Sequence, residues 1–352
     1  MNNNSCILKI NTKNLIKNYN FFKKLKKNII IAPAIKANAY GLGDSKIFKI
    51  LLKNKCKHFF VATLEEGIKI NNKRKDINIY VLNGVQDYSL QLFNKYNLVP
   101  IINSISEFIK IKKTNLKFGI HIDTGINRLG IKCDDLIEEI YLNKNLTVVI
   151  SHLSSADEMN NNYNIFQKNK FINIIKNFKK KDIIYSLANS NGSCLSKEFL
   201  FDMIRPGIGL YGGNNKNIYL KKNLKPVVNF CGKIIQIKKV SKNEYIGYNQ
   251  TYKAKENIKI AVIGIGYADG LPRILSNKGK VYYKSSEYKI IGRISMDTFT
   301  IDITNSKHNL KIGTLIDLIN DDHGIEKFAD ECKTLSNEII TSIGERVKRI
   351  YV

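Results

Sequence analysis

Asn28-Ile-Ile-Ile-Ala-Pro-Ala-Ile-Lys36-Ala-Asn-Ala-Tyr-Gly-Leu-Gly43 is an apolar run that places one lysine where a buried strand should end. An ammonium there is costly to desolvate unless it is paired, neutralised or covalently used. The run is the first of eight with β character: Ile29–Ala37, His58–Thr63, Ile77–Asn83, Leu98–Asn103, Phe118–Asp123, Leu146–His152, Ile183–Ala188 and Phe201–Ile208. Amphipathic stretches such as Ser45–Asn54 and Asn164–Lys180 lie between them and are long enough to be crossover helices. Eight strand–helix units within residues 29–208 favour a closed (β/α)8 TIM barrel over an open doubly wound sheet, which usually has fewer strands.

The pattern changes near Pro226. Beyond it the text is strand-rich, with Val227–Lys239, Lys259–Gly266, Lys280–Tyr283, Lys289–Ile294, Thr298–Ile303 and Thr314–Leu318, then a short helix around Leu335–Ile343 and a last strand at Val347–Val352. The expected organisation is a barrel over residues 1–225 and a mainly β domain over 226–352.

Composition narrows the function. With 352 residues and 43% apolar content the chain can bury a large core. No apolar run is long enough to span a bilayer, and the opening MNNNSCILKINTKN has no apolar core of a secretory signal, so a cytoplasmic protein away from membranes is expected. The six cysteines are scattered without a CxxC and the five histidines stand apart, which reads as reduced structural thiols and no metal site. A formal charge of +27 invites a nucleic-acid reading. However, lysine, asparagine and isoleucine are inflated together along the whole chain, as an AT-rich genome would produce, and no nucleic-acid partner is expected. Only seven arginines stand against fifty lysines, so each marks a place that needs a planar, permanently charged fork.

In a barrel, chemistry sits at the carboxyl ends of the strands and in the loops that follow. Polar residues fall there strand after strand: Lys36 at the first, Asp123 to Arg128 at the fifth, His152 at the sixth, Asn189-Ser190 at the seventh, and Arg205-Pro-Gly207-Ile208 at the eighth. Lys36 reads either as a snorkelling strand-end lysine or as a Schiff-base former whose amine burial makes nucleophilic. Arg205-Pro-Gly reads either as a surface turn or, with Gly207 admitting backbone N–H groups and Ser190 and Tyr40 adding hydroxyls, as a phosphate site after the last strands. Taken together they suggest pyridoxal 5′-phosphate, which needs a lysine aldimine, a phosphate cradle and a partner for its ring nitrogen.

APAIKANAYGLG, IDTGINRLG, SHLSSAD, LANSNG, RPGIGLYG, IGYNQTY, IGIGYADGLPR and GRISMD, in this order over roughly Ile7 to Ile350, resemble the motifs of the alanine racemase family, fold-type III pyridoxal-phosphate enzymes. The resemblance implies interconversion of L- and D-alanine for peptidoglycan by two bases. Lys36 would hold the cofactor and serve one face of the α-carbon, and Tyr248 would serve the other. It further implies that His152 links the tyrosine to Arg205, and that Arg205 meets the pyridine nitrogen. Tyr40, Asn189, Ser190, Gly207 and Ile208 would help hold the cofactor, and Arg128, Met296 and Asp297 the substrate. Asp157, Tyr267, Arg273 and Arg293 would form a narrow entrance. In the family Tyr248, Tyr267, Met296 and Asp297 come from the second subunit, so a homodimer with shared sites is implied.

Two positions depart from the pattern. Glu345 stands where many members carry a phosphate-side tyrosine, and His121 where several carry a carbamylated lysine that positions the arginine matched by Arg128. Glu345 is expected to turn away from the phosphate. Rival readings are a racemase for serine or another amino acid, a barrel-type decarboxylase, disfavoured by Arg205, and a one-barrel cofactor carrier, disfavoured by the β domain.

Overall fold

The computed structural model describes residues 5–71, 74–86 and 89–352. They form two compact units, one of Leu15–Lys225 and one of the described residues up to Asn14 together with Pro226–Val352. No helix of the described residues is long and apolar enough to cross a membrane.

The Leu15–Lys225 unit is the expected barrel. Its strands, Ile30–Ile31, His58–Val61, Asn78–Val81, Val99–Ile102, Phe118–Asp123, Leu146–Ile150, Ile184–Ser186 and Met203–Ile204, are all parallel. The second to seventh form one sheet in sequence order, and the eighth pairs with the first. Two single bridges close the ring, Ala34 to Phe60 and Asn189 to Arg205. The interior is packed from most of the strands around it, by Ala34, Phe60, Tyr80, Ile101, Val148, Ile150 and Met203 among others. Such a core is filled, so chemistry is pushed to the rim.

The strands are shorter than the apolar runs suggest, and the first differs most. Ile29–Ala37 is expected as strand, yet only Ile30–Ile31 is regular and Lys36 stands outside it, opening a turn. Pro33 explains the break, because it has no N–H for a ladder. The eighth run shrinks to Met203–Ile204 before Pro206 for the same reason.

The second unit is an eight-stranded sheet. Val228–Val240, 13 residues long, pairs with Leu315–Ile319 through its first half and with Ile258–Ile263 through its second, which closes the sheet on itself. The N-terminal strand Cys6–Ile10 belongs to this sheet, antiparallel to Val228–Val240 and parallel to Lys348–Tyr351. An expected barrel beginning at residue 1 therefore gives up residues 5–14 to the β unit. The Leu-Lys-Ile pattern of that strand alternates in the way a sheet requires, but pairing partners more than 200 residues away are invisible to periodicity. Near the C-terminus, Ile325–Glu331 adds a helix ahead of Ser336–Thr341.

Candidate active site

Two groups of side chains emerge, one on each unit. At the rim of the barrel, Lys36 is half-buried and is followed by a run of non-glycine residues in the left-handed region, Ala37, Asn38, Ala39 and Tyr40, with φ between 51° and 54°. Ala37, Ala39 and Tyr40 together store roughly 3–6 kcal/mol of strain there, since each left-handed L-residue costs ~1–2 kcal/mol. Strain of this kind persists only where the surroundings over-determine it. Part of that surrounding is Glu66, which the sequence reading missed: its Oε1 accepts the Ala37 N–H at 2.6 Å and its Oε2 the Ala62 N–H at 2.7 Å. Burial lowers the pKa of Lys36; Arg128 and Arg205 push it the same way, and Glu66 opposes them.

Arg205 is almost fully enclosed. Its Nη1 donates to the carbonyl (2.9 Å) and hydroxyl of Ser186, and its Nη2 to the carbonyls of Ser151 and Leu187. The guanidinium also lies 5.7 Å from the Phe60 ring centroid. Burial lowers its pKa, while the acceptors around the fork favour the charged form. Among the described residues no acceptor takes its Nε–H. His152 Nδ1 faces Arg205 Nη2 at 3.4 Å. Burial and the cations around it, Arg205 first, hold His152 neutral, so Nδ1 is the acceptor and Nε2 carries the proton. The expected contact between His152 and Arg205 is thus present.

Ser190 and the eighth-strand loop form a cradle. Ser190 Oγ accepts the N–H groups of Gly207 (3.0 Å) and Gly209 (3.1 Å), which leaves its own O–H to donate outward. The Tyr40 ring packs on Tyr211 with centroids 5.0 Å apart, and the Tyr211 hydroxyl donates to the Ala34 carbonyl at 3.0 Å. Burial pushes the Tyr40 phenol up to about 12, so it is a donor at neutral pH. A Cβ at Gly207 would sit 2.3 Å from the Tyr40 oxygen, and one at Gly209 2.8 Å from Phe22. Only glycine leaves this space open. Ile208 is buried, and Asn189 turns inward, its Oδ1 accepting the Gly192 N–H at 2.8 Å. These residues fit pyridoxal phosphate: hydroxyl donors beside a glycine-lined cradle, an open guanidinium Nε–H, and a lysine whose amine is favoured.

The fifth-strand loop is held by Asp123, whose Oδ1 accepts the N–H groups of Gly125 (2.9 Å) and Asn127 (3.2 Å). It presents Arg128 exposed, and no hydrogen bond or ion pair holds that side chain among the described residues. His121 meets Asn103 instead of Arg128. Both Asn103 Nδ2 protons go to the carbonyls of Leu82 and Ile101, so its Oδ1 must accept from His121 Nδ1 at 3.3 Å. Asp157 is exposed in the loop after the sixth strand.

On the β unit, Tyr248 lies in a loop between the short strands Tyr245–Ile246 and Tyr252–Lys253. Together with Tyr267, Arg273, Met296 and Asp297 it lines a cleft of about 630 Å³, and with Arg293 it lines an adjoining one of about 340 Å³. The loops are interlocked: Tyr267 N–H donates to the Ser295 carbonyl at 3.1 Å, and a Cβ on Gly266 would lie 2.1 Å from the Met296 carbonyl. Arg346 ties them, with Nε and Nη2 on Asp269 at 2.7 and 3.0 Å and Nη2 on Asp297 at 2.7 Å. Glu345, next to it, is exposed. Glu66, Ser186 and Arg346 went unread in sequence; only Glu66 had a signal, the Thr63-x-x-Glu66 capping box.

Family models for the alanine racemase N-terminal and C-terminal domains match residues 10–215 and 227–351. Alanine racemase of Rickettsia africae is 36% identical over 99% of both chains. Among solved structures, alanine racemase from Bartonella henselae with covalently bound pyridoxal phosphate superposes with a TM-score of 0.93 at 31% identity, covering 99% of this chain and 100% of that one. The Acinetobacter baumannii enzyme gives 0.88 at 29% identity over 99% of each chain.

Proposed function

This chain belongs to the alanine racemase family, a pyridoxal-phosphate-dependent isomerase by that membership, and from this premise we propose a two-base conversion of L- and D-alanine that supplies peptidoglycan synthesis. Bound pyridoxal phosphate supplies an electron-withdrawing ring that acidifies the α-proton of an attached amino acid.

The observation that carries the reading is Arg205. Its Nε–H, without an acceptor among the described residues, is offered to the ring nitrogen. A guanidinium does not readily surrender its proton, so the nitrogen stays unprotonated and withdraws electrons only moderately. That favours return of a proton to the α-carbon over decarboxylation or transamination. Lys36 carries the cofactor, and its amine, kept neutral more easily by burial, moves the proton on one face. The hydroxyls of Ser190 and Tyr40 donate to the phosphate, and Arg128 receives the substrate carboxylate.

Tyr248, contributed by a second copy, serves the opposite face. Support comes from its setting: Tyr248, Tyr267 and Met296 leave large apolar surface exposed around one cleft, a patch of the kind that another chain covers. Neutral His152 beside Arg205 provides the polar group through which the tyrosine is tuned.

Incubation with pyridoxal phosphate and L-alanine in deuterated water, followed by optical rotation and the α-proton signal, tests the reading. Rotation decaying to zero as the α-proton disappears is the expected result. Retained rotation with an intact α-proton would exclude alanine and turn attention to serine.

A further inference from the structure

The turn behind Lys36 is gripped from outside. Of the residues from Ala37 to Gly43, all but Leu42 are left-handed. The turn closes internally through Gly41 N–H to the Ala37 carbonyl at 2.8 Å and Gly43 N–H to the Asn38 carbonyl at 2.9 Å. Its two ends are held by one helix, Leu64–Asn71. Glu66 takes the Ala37 N–H at the start, and Lys69 Nζ reaches Asp44 Oδ2 at 2.8 Å just past the end. Residues three apart share a helix face, so the two grips come from one side.

Glu66 also has an ordinary local duty. Its N–H donates to Thr63 Oγ1 at 3.3 Å, and its Oε2 accepts from the Ala62 and Thr63 N–H groups, which caps the helix. Capping occupies one carboxylate oxygen. The other is committed to a distant segment, the residue next to Lys36. We propose that Glu66 is a positioning residue for Lys36: its carboxylate pins the Ala37 N–H and, with Lys69 on Asp44, fixes the left-handed turn from which the lysine amine reaches the rim.

This inference rests on Lys36 as the cofactor lysine. The groups acting on that amine come from several elements. Arg128 of the fifth-strand loop and Arg205 of the eighth strand favour its neutral form, His152 of the sixth-strand end is itself neutral, and Tyr40 is protonated. Glu66 favours the charged form. Removing its charge therefore lowers the pH at which Lys36 loses its proton.

The test uses the full chain prepared without pyridoxal phosphate, trace-labelled with acetic anhydride across pH, with Lys36 read by mass spectrometry. Amide hydrogen exchange of the 36–44 peptide and a thermal melt run alongside. Glu66→Gln should lower the Lys36 labelling midpoint by about half a pH unit or more. It should also speed exchange in 36–44 by about tenfold. Glu66→Asp, which keeps the charge, should retain more of the midpoint while still losing protection. An unmoved midpoint together with unmoved exchange in Glu66→Gln would overturn the proposal, as would a lower melting temperature with neither local change. If Glu66→Gln does not fold, Lys69→Met leaves the cap intact: faster exchange in 36–44 supports the grip, and unchanged exchange overturns it. Neither readout involves turnover, so a chain inert toward alanine would sink the functional reading without moving these results.

Discussion

Arg205 is 7% exposed beneath a ring of carbonyl and hydroxyl acceptors, whereas Tyr248 stands 67% exposed and Met296 53% exposed at the edge of an open cleft. The barrel rim is finished within one chain. Arg205, His152, Ser190 and Tyr40 are fixed by neighbours, and desolvation shifts the titration of Lys36, Tyr40, His121, His152 and Arg205. The cleft of the β unit is finished differently. Its loops are locked by backbone contacts and Arg346, but Tyr248, Tyr267 and Met296, which they present, stand exposed. The contrast teaches that electrostatic preparation and shape preparation can be divided between domains, the first needing burial and the second only rigid loops.

The heaviest blow to the rim is Lys36→Ala, which should remove covalent cofactor and reduce racemisation by at least about 10³-fold, measured by absorbance and polarimetry. Cofactor retained at normal yield would break the assignment. Next comes Tyr248→Phe, expected to keep the cofactor while losing about 10²-fold or more of L-alanine conversion. If the cleft serves a second copy, mixing these two inactive variants and allowing exchange should restore activity toward about a quarter of wild type, because half the dimers carry one intact site. No recovery after demonstrated exchange would place Lys36 and Tyr248 in one chain's site.

Arg205→Lys sharpens the comparison through stability. A lysine offers three donors on one nitrogen in place of a two-nitrogen fork that serves four acceptors, the Ser151, Ser186 and Leu187 carbonyls and the Ser186 hydroxyl, so urea unfolding should lose about 2–4 kcal/mol. The corresponding change at the exposed Arg273 should cost almost nothing.

The remaining effect is confined to the acid limb. Burial depresses His58 to about 4 and His121 to about 3, from an ordinary 6.5. The unfolded chain binds these protons first, so their stabilisation is complete above pH 6.5 and drains as pH falls toward the folded values. Each contributes a slope of about 1.4 kcal/mol per pH unit in that window. The His121→Gln difference curve in urea should show one such share missing between pH 6.5 and about 3; a flat difference would mean that His121 is not held neutral.

Much of this was legible in the chain itself. Eight apolar runs with helical spacers imply the barrel, and the chemistry-bearing residues fall at their carboxyl ends because a filled interior leaves them nowhere else. The motifs from Lys36 to Asp297 imply candidate site residues position by position. What periodicity could not hold is long-range pairing: that Cys6–Ile10 joins the β sheet, that Ser186 and Ser151 close on Arg205, that Asn103 takes His121, and that Arg346 locks Asp269 to Asp297. Nor could composition show that Ala37 to Tyr40 turn left-handed, since alanine and tyrosine favour that conformation nowhere on their own. Local patterns fix which face of an element is buried, because burial follows from side-chain period. Which polar atoms meet, and which backbone strain survives, depends on segments far apart in sequence arriving at one place, and only the folded chain decides that.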